Sequence, residues 1–600
     1  MKKLLPLLYF ILIVSCSEKA LETIEVTGGE ISGTTSADGA INIYKGIPYA
    51  APPVGELRWK APQPAQPWEG VLECTAFGAS PMQGDPVPFS MWSKEYLIED
   101  EPISEDALTL NVWTGAKSAE DKLPVVVWIY GGGFSSGGTN VPIYNGESFA
   151  REGVVFVSLN YRVGVFGFFA HPELTAESPN NASGNYGIMD QVAGLEWVKE
   201  NIAAFGGNGN DITIFGESAG GNSVLNHLAQ HASFPLYQKA IIESGLNDEG
   251  ARTNENAEVG YQALLRAAVC PDLDCLRRKN ASELLAANTK VPASIAGHPG
   301  EPGGCCSGPT VDGVSLTASP AALIASKQYH SEARVLIGSN RDELAFMTMP
   351  MMPANLNNMM MQFTVQSNPP WFYGKNQTLY EEFLQVYDPA NYSYPTLATE
   401  PDANFSLDYW KTIRSATDTI PGLGACAVRW MDRMLVAGGT PAVYSYLFAH
   451  PPSGQPIFGK FGTPVFAGHT AELGFVFNKP RSASPFTPEE KVLADTVSRY
   501  WYTFAASGDP NPRPTKTIYE ATTIGVPSDV GSSGALPVWP RWTPEGDTIM
   551  RLDTVSEGGV RPQARLRKAA CDWQDKIACT PPTADCRARF PPPPLHTHTP

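Results

Sequence analysis

The chain predicts an α/β fold with a large, mostly parallel central sheet covered by helices on both faces. Three observations carry this. Short apolar runs rich in β-branched residues recur: Val125 to Tyr130, Val154 to Leu159, Ile212 to Phe215, Ala240 to Ile242, Arg334 to Ile337 and Val443 to Phe448. Continuously apolar strands of this kind are buried on both faces, and helical patterns alternate with them as parallel crossovers require. Finally, Phe215-Gly216-Glu217-Ser218-Ala219-Gly220-Gly221 sets a serine among glycines where an apolar strand meets a helix. Asn222 to His231 supplies that helix, with Val224, Leu225 and Leu228 at helical spacing.

Taken from the N-terminus, the first segment reads as an address. Lys2 and Lys3 precede the apolar stretch Leu4 to Val14, too short for the roughly 20 residues of an ordinary membrane-spanning helix. Its end, Ile13-Val14-Ser15-Cys16, resembles a bacterial lipobox, which makes Cys16 a candidate lipidation site and residues 1–16 a lipoprotein-type signal segment. The expected destination is the bacterial envelope, with attachment to the membrane through Cys16. A plain secretory signal cut near Ser15 or Ser17 would give a secreted or periplasmic protein instead. Later segments offer no 18 uninterrupted apolar residues.

With 43% hydrophobic and 17% charged residues, the 600-residue chain is globular in composition. Its formal charge of -18 argues against a polyanion-binding surface, and nucleic acid is not an expected partner. Nine cysteines follow Cys16: Cys74, Cys270, Cys275, Cys305, Cys306, Cys426, Cys571, Cys579 and Cys586. An odd number in an oxidising compartment leaves at least one free or paired elsewhere. Their spacings do not match a closed zinc site, so neither metal nor cofactor is expected. The Pro- and Gly-rich stretch Pro292 to Pro309 reads as a loop, and residues 573–600 as a Pro-rich tail. The sequence sets no oligomeric state.

The glycine-flanked serine is where chemistry enters. A Gly-x-Ser-x-Gly elbow holds its serine in a strained turn that only small neighbours permit, lifting the hydroxyl clear of the sheet as a nucleophile. A serine nucleophile attacking a carbonyl needs N–H donors for the developing oxyanion. Gly131-Gly132-Gly133-Phe134 follows directly on the strand Val125 to Tyr130, where such a donor loop is carried. Gly132, Gly133 and Ala219 are the candidate donors. The acid should follow a strand downstream, and Arg334 to Gly338 leads into Asp342-Glu343. The histidine must come later still; besides the tail pair His596 and His598, that leaves His450, followed by two prolines, and His469, in the small-residue loop Ala467-Gly468-His469-Thr470-Ala471-Glu472. Pattern alone keeps both histidines and both acids open.

Residues from about 22 to 572 resemble the type B carboxylesterases, the family that includes cholinesterases, bile-salt lipase and bacterial para-nitrobenzyl esterases. The resemblance runs in order through Gly46-Ile-Pro-Tyr-Ala50, Leu57-Arg-Trp59, Ser104-Glu105-Asp106, Leu110-Asn-Val-Trp113, Asn160-Tyr-Arg162, Gly184-Asn-Tyr-Gly187, Asp190-Gln191 and Phe215 to Gly221. It continues through Asp342-Glu343, Gly468 to Glu472 and Phe504 to Asn511. The resemblance implies a single α/β-hydrolase domain over residues 22–572. It also implies a Ser218–His469–Glu343 triad that cleaves carboxylic esters through an acyl-enzyme. Alternatives are a lipase acting on long-chain glycerides and, from another class, a non-catalytic esterase-like adhesion protein. Arg58 and Glu105 resemble the family's structural ion pair, Cys270 with Cys275 a shortened family disulfide, and Cys426 with Cys571 the bridge that ties the last helix to the body. The family's partner for Cys74 is replaced by Ala107, which leaves Cys305 or Cys306 as substitutes. Residues just after the acid line the gorge in the resembling enzymes, so Phe346 and Met347 are candidate pocket walls. Met91-Trp92 superficially resembles the cholinesterase cation-binding site, but its spacing to Ser104 favours a packed tryptophan.

Overall fold

A computed structural model describes residues 23–88, 92–99, 102–246, 252–291, 306, 308–343, 345, 377–391, 416, 423–454, 467–481, 484–511 and 536–578. Eleven strands form the central sheet: β1 Thr34–Thr35, β2 Asn42–Pro48, β3 Thr109–Thr114, β4 Leu123–Ile129, β5 Val155–Leu159, β6 Gly207–Glu217, β7 Lys239–Glu243, β8 Arg334–Asn340, β9 Val443–Phe448, β10 Thr548–Leu552 and β11 Arg561–Ala564. Their order across the sheet is β11-β10-β9-β8-β7-β6-β4-β5-β3-β2-β1. The seven strands from β10 to β5 pair in parallel. Antiparallel strands finish both edges.

All six expected strands lie in the parallel middle. Val125 to Ile129 of β4 has no solvent exposure, because helices cover both faces of this part of the sheet and only apolar side chains tolerate that position. The flanking strands escaped the sequence reading for a related reason. The edge strand β11, Arg-Pro-Gln-Ala, alternates half-buried and exposed residues and carries a proline, so it lacks a continuous apolar signature.

Chain order reverses direction at β4. From β4 the chain proceeds to β5 on one side, and β6 then adds on the other. Such a switch point opens a crevice beyond the carboxyl ends of the strands, where ligands bind in open α/β sheets. Beneath it, Trp128 of β4 meets Phe215 of β6 at 4.6 Å between ring centroids and Phe477 at 5.1 Å. Phe477 lies eight residues past His469, so this aromatic packing fixes the histidine segment against the sheet.

The helices that frame the site carry legible stop and start signals. Among them, α1 spans Tyr186–Asn201 and α2 spans Ala219–Ala229. A third, α3 Leu273–Arg278, begins at Asp272, whose side chain accepts from the Cys275 N–H, and the structure joins Cys275 to Cys270. Further along come α4 Ala425–Gly438, α5 Pro488–Ser507 and α6 Lys568–Ala578. Thr487 and Glu490 form a capping box at the start of α5, Pro488 occupies its first turn, and Gly508 at φ 69° ends it. Cys426 on α4 is joined to Cys571 on α6, and Arg429–Asp572 and Arg433–Asp575 ion pairs at 2.8 and 2.9 Å flank the bridge.

Two expectations require correction. The packed body does not stop at residue 572, because α6 continues to Ala578 and Trp573 is buried against Phe383 and Tyr387. An amphipathic turn with an apolar anchor overrides the polar composition that marked a tail. Cys74 is a free, buried thiol, so neither Cys305 nor Cys306 replaces its lost partner. Cys306 itself belongs to a disulfide, while Cys305 lies outside the described residues. Burial pushes the Cys74 thiol up to about 12, which suits an inert apolar side chain rather than a thiolate.

Candidate active site

The elbow is built from close backbone approaches. β6 ends at Glu217 and α2 begins at Ala219, leaving Ser218 between them at φ 59°, ψ -124°. This backbone conformation is costly for any residue with a side chain and persists only where its surroundings enforce it. Those surroundings are glycines: a Cβ on Gly216 would stand 2.6 Å from the Ile129 carbonyl oxygen, and one on Gly220 would stand 2.0 Å from that same atom. Ser218 N–H donates to the Glu243 carbonyl at 2.9 Å, and its own carbonyl accepts from Asn222 N–H at 2.8 Å. The hydroxyl is thereby aimed away from the sheet.

The structure brings the hydroxyl to a histidine and the histidine to an acid. His469 Nε2 lies 2.8 Å from Ser218 Oγ, and His469 Nδ1 lies 2.7 Å from Glu343 Oε2. The other carboxylate oxygen of Glu343 accepts from Asn340 N–H and from the Ser244 hydroxyl, both at 2.6 Å. Asp342 points elsewhere, accepting from Ala467 N–H at 3.1 Å and pairing with Arg341. His450 also stands apart, 3.2 Å from Glu490 and 3.7 Å from Asp553. Geometry thus separates residues that pattern left equivalent.

Two loops hold this arrangement by gripping each other. His469 N–H donates to the Glu343 carbonyl at 3.1 Å, and Asp342 N–H to the Ala467 carbonyl at 2.9 Å. The Asn340 side chain donates to the Gly468 carbonyl at 2.8 Å and to the Glu472 carboxyl. Asn340, Ser244 and Glu472 are participants to which the sequence pattern assigns no role. Asn340 and Glu472 were within reach, each lying three residues from a proposed triad member. Ser244 needed the sheet order, because it touches Glu343 only through the neighbouring of β7 and β8.

Beside the serine, β4 and β6 run parallel with Gly216 opposite Ile129, so the segments beyond their ends adjoin. A Cβ on Gly131 would stand 2.9 Å from that of Ser218, and Gly132 and Gly133 adopt φ of 110° and 60°. The N–H groups of Gly132, Gly133 and Ala219 have no hydrogen-bond partner among the described residues. Unpartnered donors beside a nucleophile at the head of a helix suit a developing negative charge.

Burial favours a neutral His469 ring, but the carboxyls of Glu217, Glu343 and Glu472 outweigh it and push the imidazole up to about 10. Glu217 Oε1 approaches Nε2 to 3.3 Å without hydrogen-bond alignment. Burial in turn pushes Glu217 well above the usual carboxylate range and Glu472 up to about 7. Phe346 and Met347 lie outside the described residues, as does Cys16. Trp92 is half-buried against the core, as a packed tryptophan should be. The implied scaffold pair is present, with Arg58 clamping Glu105 through two N–H donors while its remaining nitrogen bonds to the carbonyls of Arg277 and Lys279. Arg162 and Asp190, from two further family-like segments, form a buried bidentate pair at 2.7 Å.

Comparisons with known proteins agree in kind. Residues 20–573 match the model of the carboxylesterase family. The chain is 30% identical over 562 residues to a cholinesterase of Mus musculus, covering 89% of this chain and 83% of that protein. It is 32% identical over 527 residues to a medium-chain fatty acyl-CoA hydrolase precursor of Anas platyrhynchos, covering 83% and 87%. A fumonisin B1 esterase of Sphingopyxis macrogoltabida is 38% identical over 311 residues, covering 51% and 54%. With the family's model matching nearly its whole length and an elbow serine hydrogen-bonded to a histidine, the chain belongs to the carboxylesterase family and is a serine-type carboxylic ester hydrolase.

Proposed function

We propose that the enzyme cleaves its esters through an acyl-enzyme formed on Ser218. The continuous hydrogen-bond chain from Ser218 Oγ through His469 to Glu343, at 2.8 and 2.7 Å, supports this reading. His469 takes the serine proton as Oγ attacks the ester carbonyl, then returns it from Nε2 to the departing alkoxide. Water enters, loses a proton to the same nitrogen, and releases the carboxylic acid. Glu343 holds Nδ1–H so that Nε2 is the basic nitrogen, and it stabilises the imidazolium formed in each step. Gly132, Gly133 and Ala219 N–H groups receive the oxyanion, at which each donor contributes about 10²-fold to turnover.

By their names the relatives act on choline esters, on fatty acyl-CoA, which is a thioester, and on fumonisin B1. They support a substrate class of carboxylic esters without fixing its alcohol. Residues 1–16 act as an export signal, and Cys16 carries the lipid that holds the enzyme at the bacterial envelope. Residues beyond them form one catalytic domain. A panel of aryl esters of graded acyl length, turned over by wild type and by Ser218→Ala, tests the mechanism. Wild type is expected to give an initial burst of phenol and the variant none; equal turnover by both would overturn the assignment. Cys16→Ser should release the protein from membranes, and unchanged partitioning would remove the lipid anchor.

A further inference from the structure

Below the triad, three buried carboxyls lie together without a Lys or Arg counterpart among the described residues. Glu217 ends β6 and Glu243 ends β7, and the two are register partners in the parallel pair. Continuing across the sheet, Glu243 is opposite Gly338 of β8, which is opposite Tyr446 of β9. Paired residues of parallel strands share a face, and Gly338 has no side chain to intervene: a Cβ there would stand 2.2 Å from the Tyr446 ring. Glu472 approaches from the histidine loop. The three glutamates are no more than 1% exposed. Among the described residues, neither Lys nor Arg forms an ion pair with any of them.

The three differ in what they face. Glu217 has the His469 ring 3.3 Å from Oε1, and Glu472 receives the Asn340 amide and also feels the histidine's charge. Among the described residues, the Glu243 side chain has only Trp501 of α5, whose Nε1–H donates to Oε1 at 2.6 Å. Its other oxygen, Oε2, has no partner among the described residues, and neither has the Tyr446 hydroxyl. Burial and the like charges of Glu472 and Glu217 disfavour its ionised form. A buried carboxylate with one neutral donor and two acidic neighbours is far costlier than a carboxylic acid in the same place.

We propose that Glu243 is a positioning residue that works as a neutral carboxylic acid, holding the cluster's proton where the cation of His469 does not reach it. Resting on the triad reading, this gives Glu243 a defined service. With the proton parked on β7, Glu217, whose ionised form burial disfavours but the adjacent His469 cation favours, and Glu472 are left to answer the charge on His469, and no third anion is added to a group that already opposes formation of the free imidazole base. The same residue's carbonyl accepts Ser218 N–H, and its neighbour Ser244 donates to Glu343. A neutral side chain anchored on Trp501 keeps that turn in place without a charge.

Glu243→Gln tests this, because an amide keeps the acceptor for Trp501 and a donor at the second position. The expected result is a kcat/KM within about threefold of wild type and an unmoved acid limb of its pH profile, as for exchange of one neutral hydrogen-bonding group for another. Glu243→Leu, which removes the acceptor, should fall well below the Gln variant. The infrared spectrum supplies a readout independent of turnover. Wild type at pH 7 should show a protonated-carboxyl band that Glu243→Gln lacks and Ser218→Ala retains, so failure of the triad reading leaves this result intact. If the Gln variant does not fold, Trp501→Phe should shift that band to higher frequency by removing its donor. A downward move of the acid limb by about one pH unit in Glu243→Gln, the loss of a nearby negative charge, would overturn the proposal. So would a carboxyl band unchanged in both variants.

Discussion

Replacing Glu343 by glutamine changes one atom and forces a choice that the structure defines. Three donors converge on the native carboxylate: Asn340 N–H and the Ser244 hydroxyl on Oε1, and His469 Nδ1–H on Oε2. Glutamine has one accepting oxygen and an NH₂ that only donates. Placed toward Asn340 and Ser244, its oxygen satisfies two donors and presents NH₂ to Nδ1. His469 then carries its proton on Nε2 and cannot accept the one from Ser218. Flipping the amide restores the productive tautomer but sets the Asn340 N–H against NH₂, at about 1–3 kcal/mol, while the Ser244 hydroxyl must turn from donor to acceptor. The imidazolium also loses its buried anion in either orientation. Together these predict a fall in kcat of about 10³–10⁴-fold, or roughly 4–5.5 kcal/mol, the scale of the corresponding acid-to-amide change in serine proteases. KM should change little. Steady-state hydrolysis of an aryl ester at neutral pH measures both constants, with circular dichroism to verify folding. A folded variant within tenfold of wild type would refute the tautomer argument, and Asp342→Asn should lose far less activity because Asp342 braces the loop without touching His469.

Three further outcomes follow from the same structure. Gly220→Ala drives a Cβ to 2.0 Å from the Ile129 carbonyl oxygen, so thermal stability should fall steeply. Gly439→Ala, at φ 99° with nothing within 4 Å, should cost only the roughly 1–2 kcal/mol of left-handed backbone; equal melting temperatures for the two variants would contradict this. Paired Cys426→Ser and Cys571→Ser changes open a bridge across a separation of 145 residues, worth about 5 kcal/mol on the chain-entropy account, and a calorimetric midpoint unchanged from wild type would count against it. Burial lowers His450 while Asp553 and Glu490 raise it, with a net rise above its ordinary value; Glu490 is held down at about 2. The histidine's contribution is therefore full below its unfolded pKa of about 6.5 and lost as pH rises through the folded value. That of Glu490 is present above about 4.5 and lost as pH falls toward 2. Urea unfolding across pH should show the Glu490 and His450 losses on opposite sides, and His450→Gln should remove the alkaline one; a variant curve parallel to wild type would exclude His450 as its source.

Much of the architecture and the nucleophile's place are legible in the amino-acid sequence, because local patterns encode them. Fully apolar, β-branched runs have no stable position except a sheet covered on both faces, and Gly216, Ser218 and Gly220 announce a turn that larger residues cannot enter. Family order then singled out Glu343 and His469. What only the tertiary structure decided was direction and neighbourhood. It turned Glu343 toward the ring and Asp342 away, and it left Cys74 without a partner. It extended the body through α6 past residue 572, where an anchored Trp573 outweighs polar composition. Above all, it set Glu243 beside Glu217 and Ser244 beside Glu343 through strand order, a relation between segments some 26 to 99 residues apart in sequence. Periodicity reports what faces a core. Which charges share that core depends on which strands become neighbours, and that is fixed by the packing of the whole sheet.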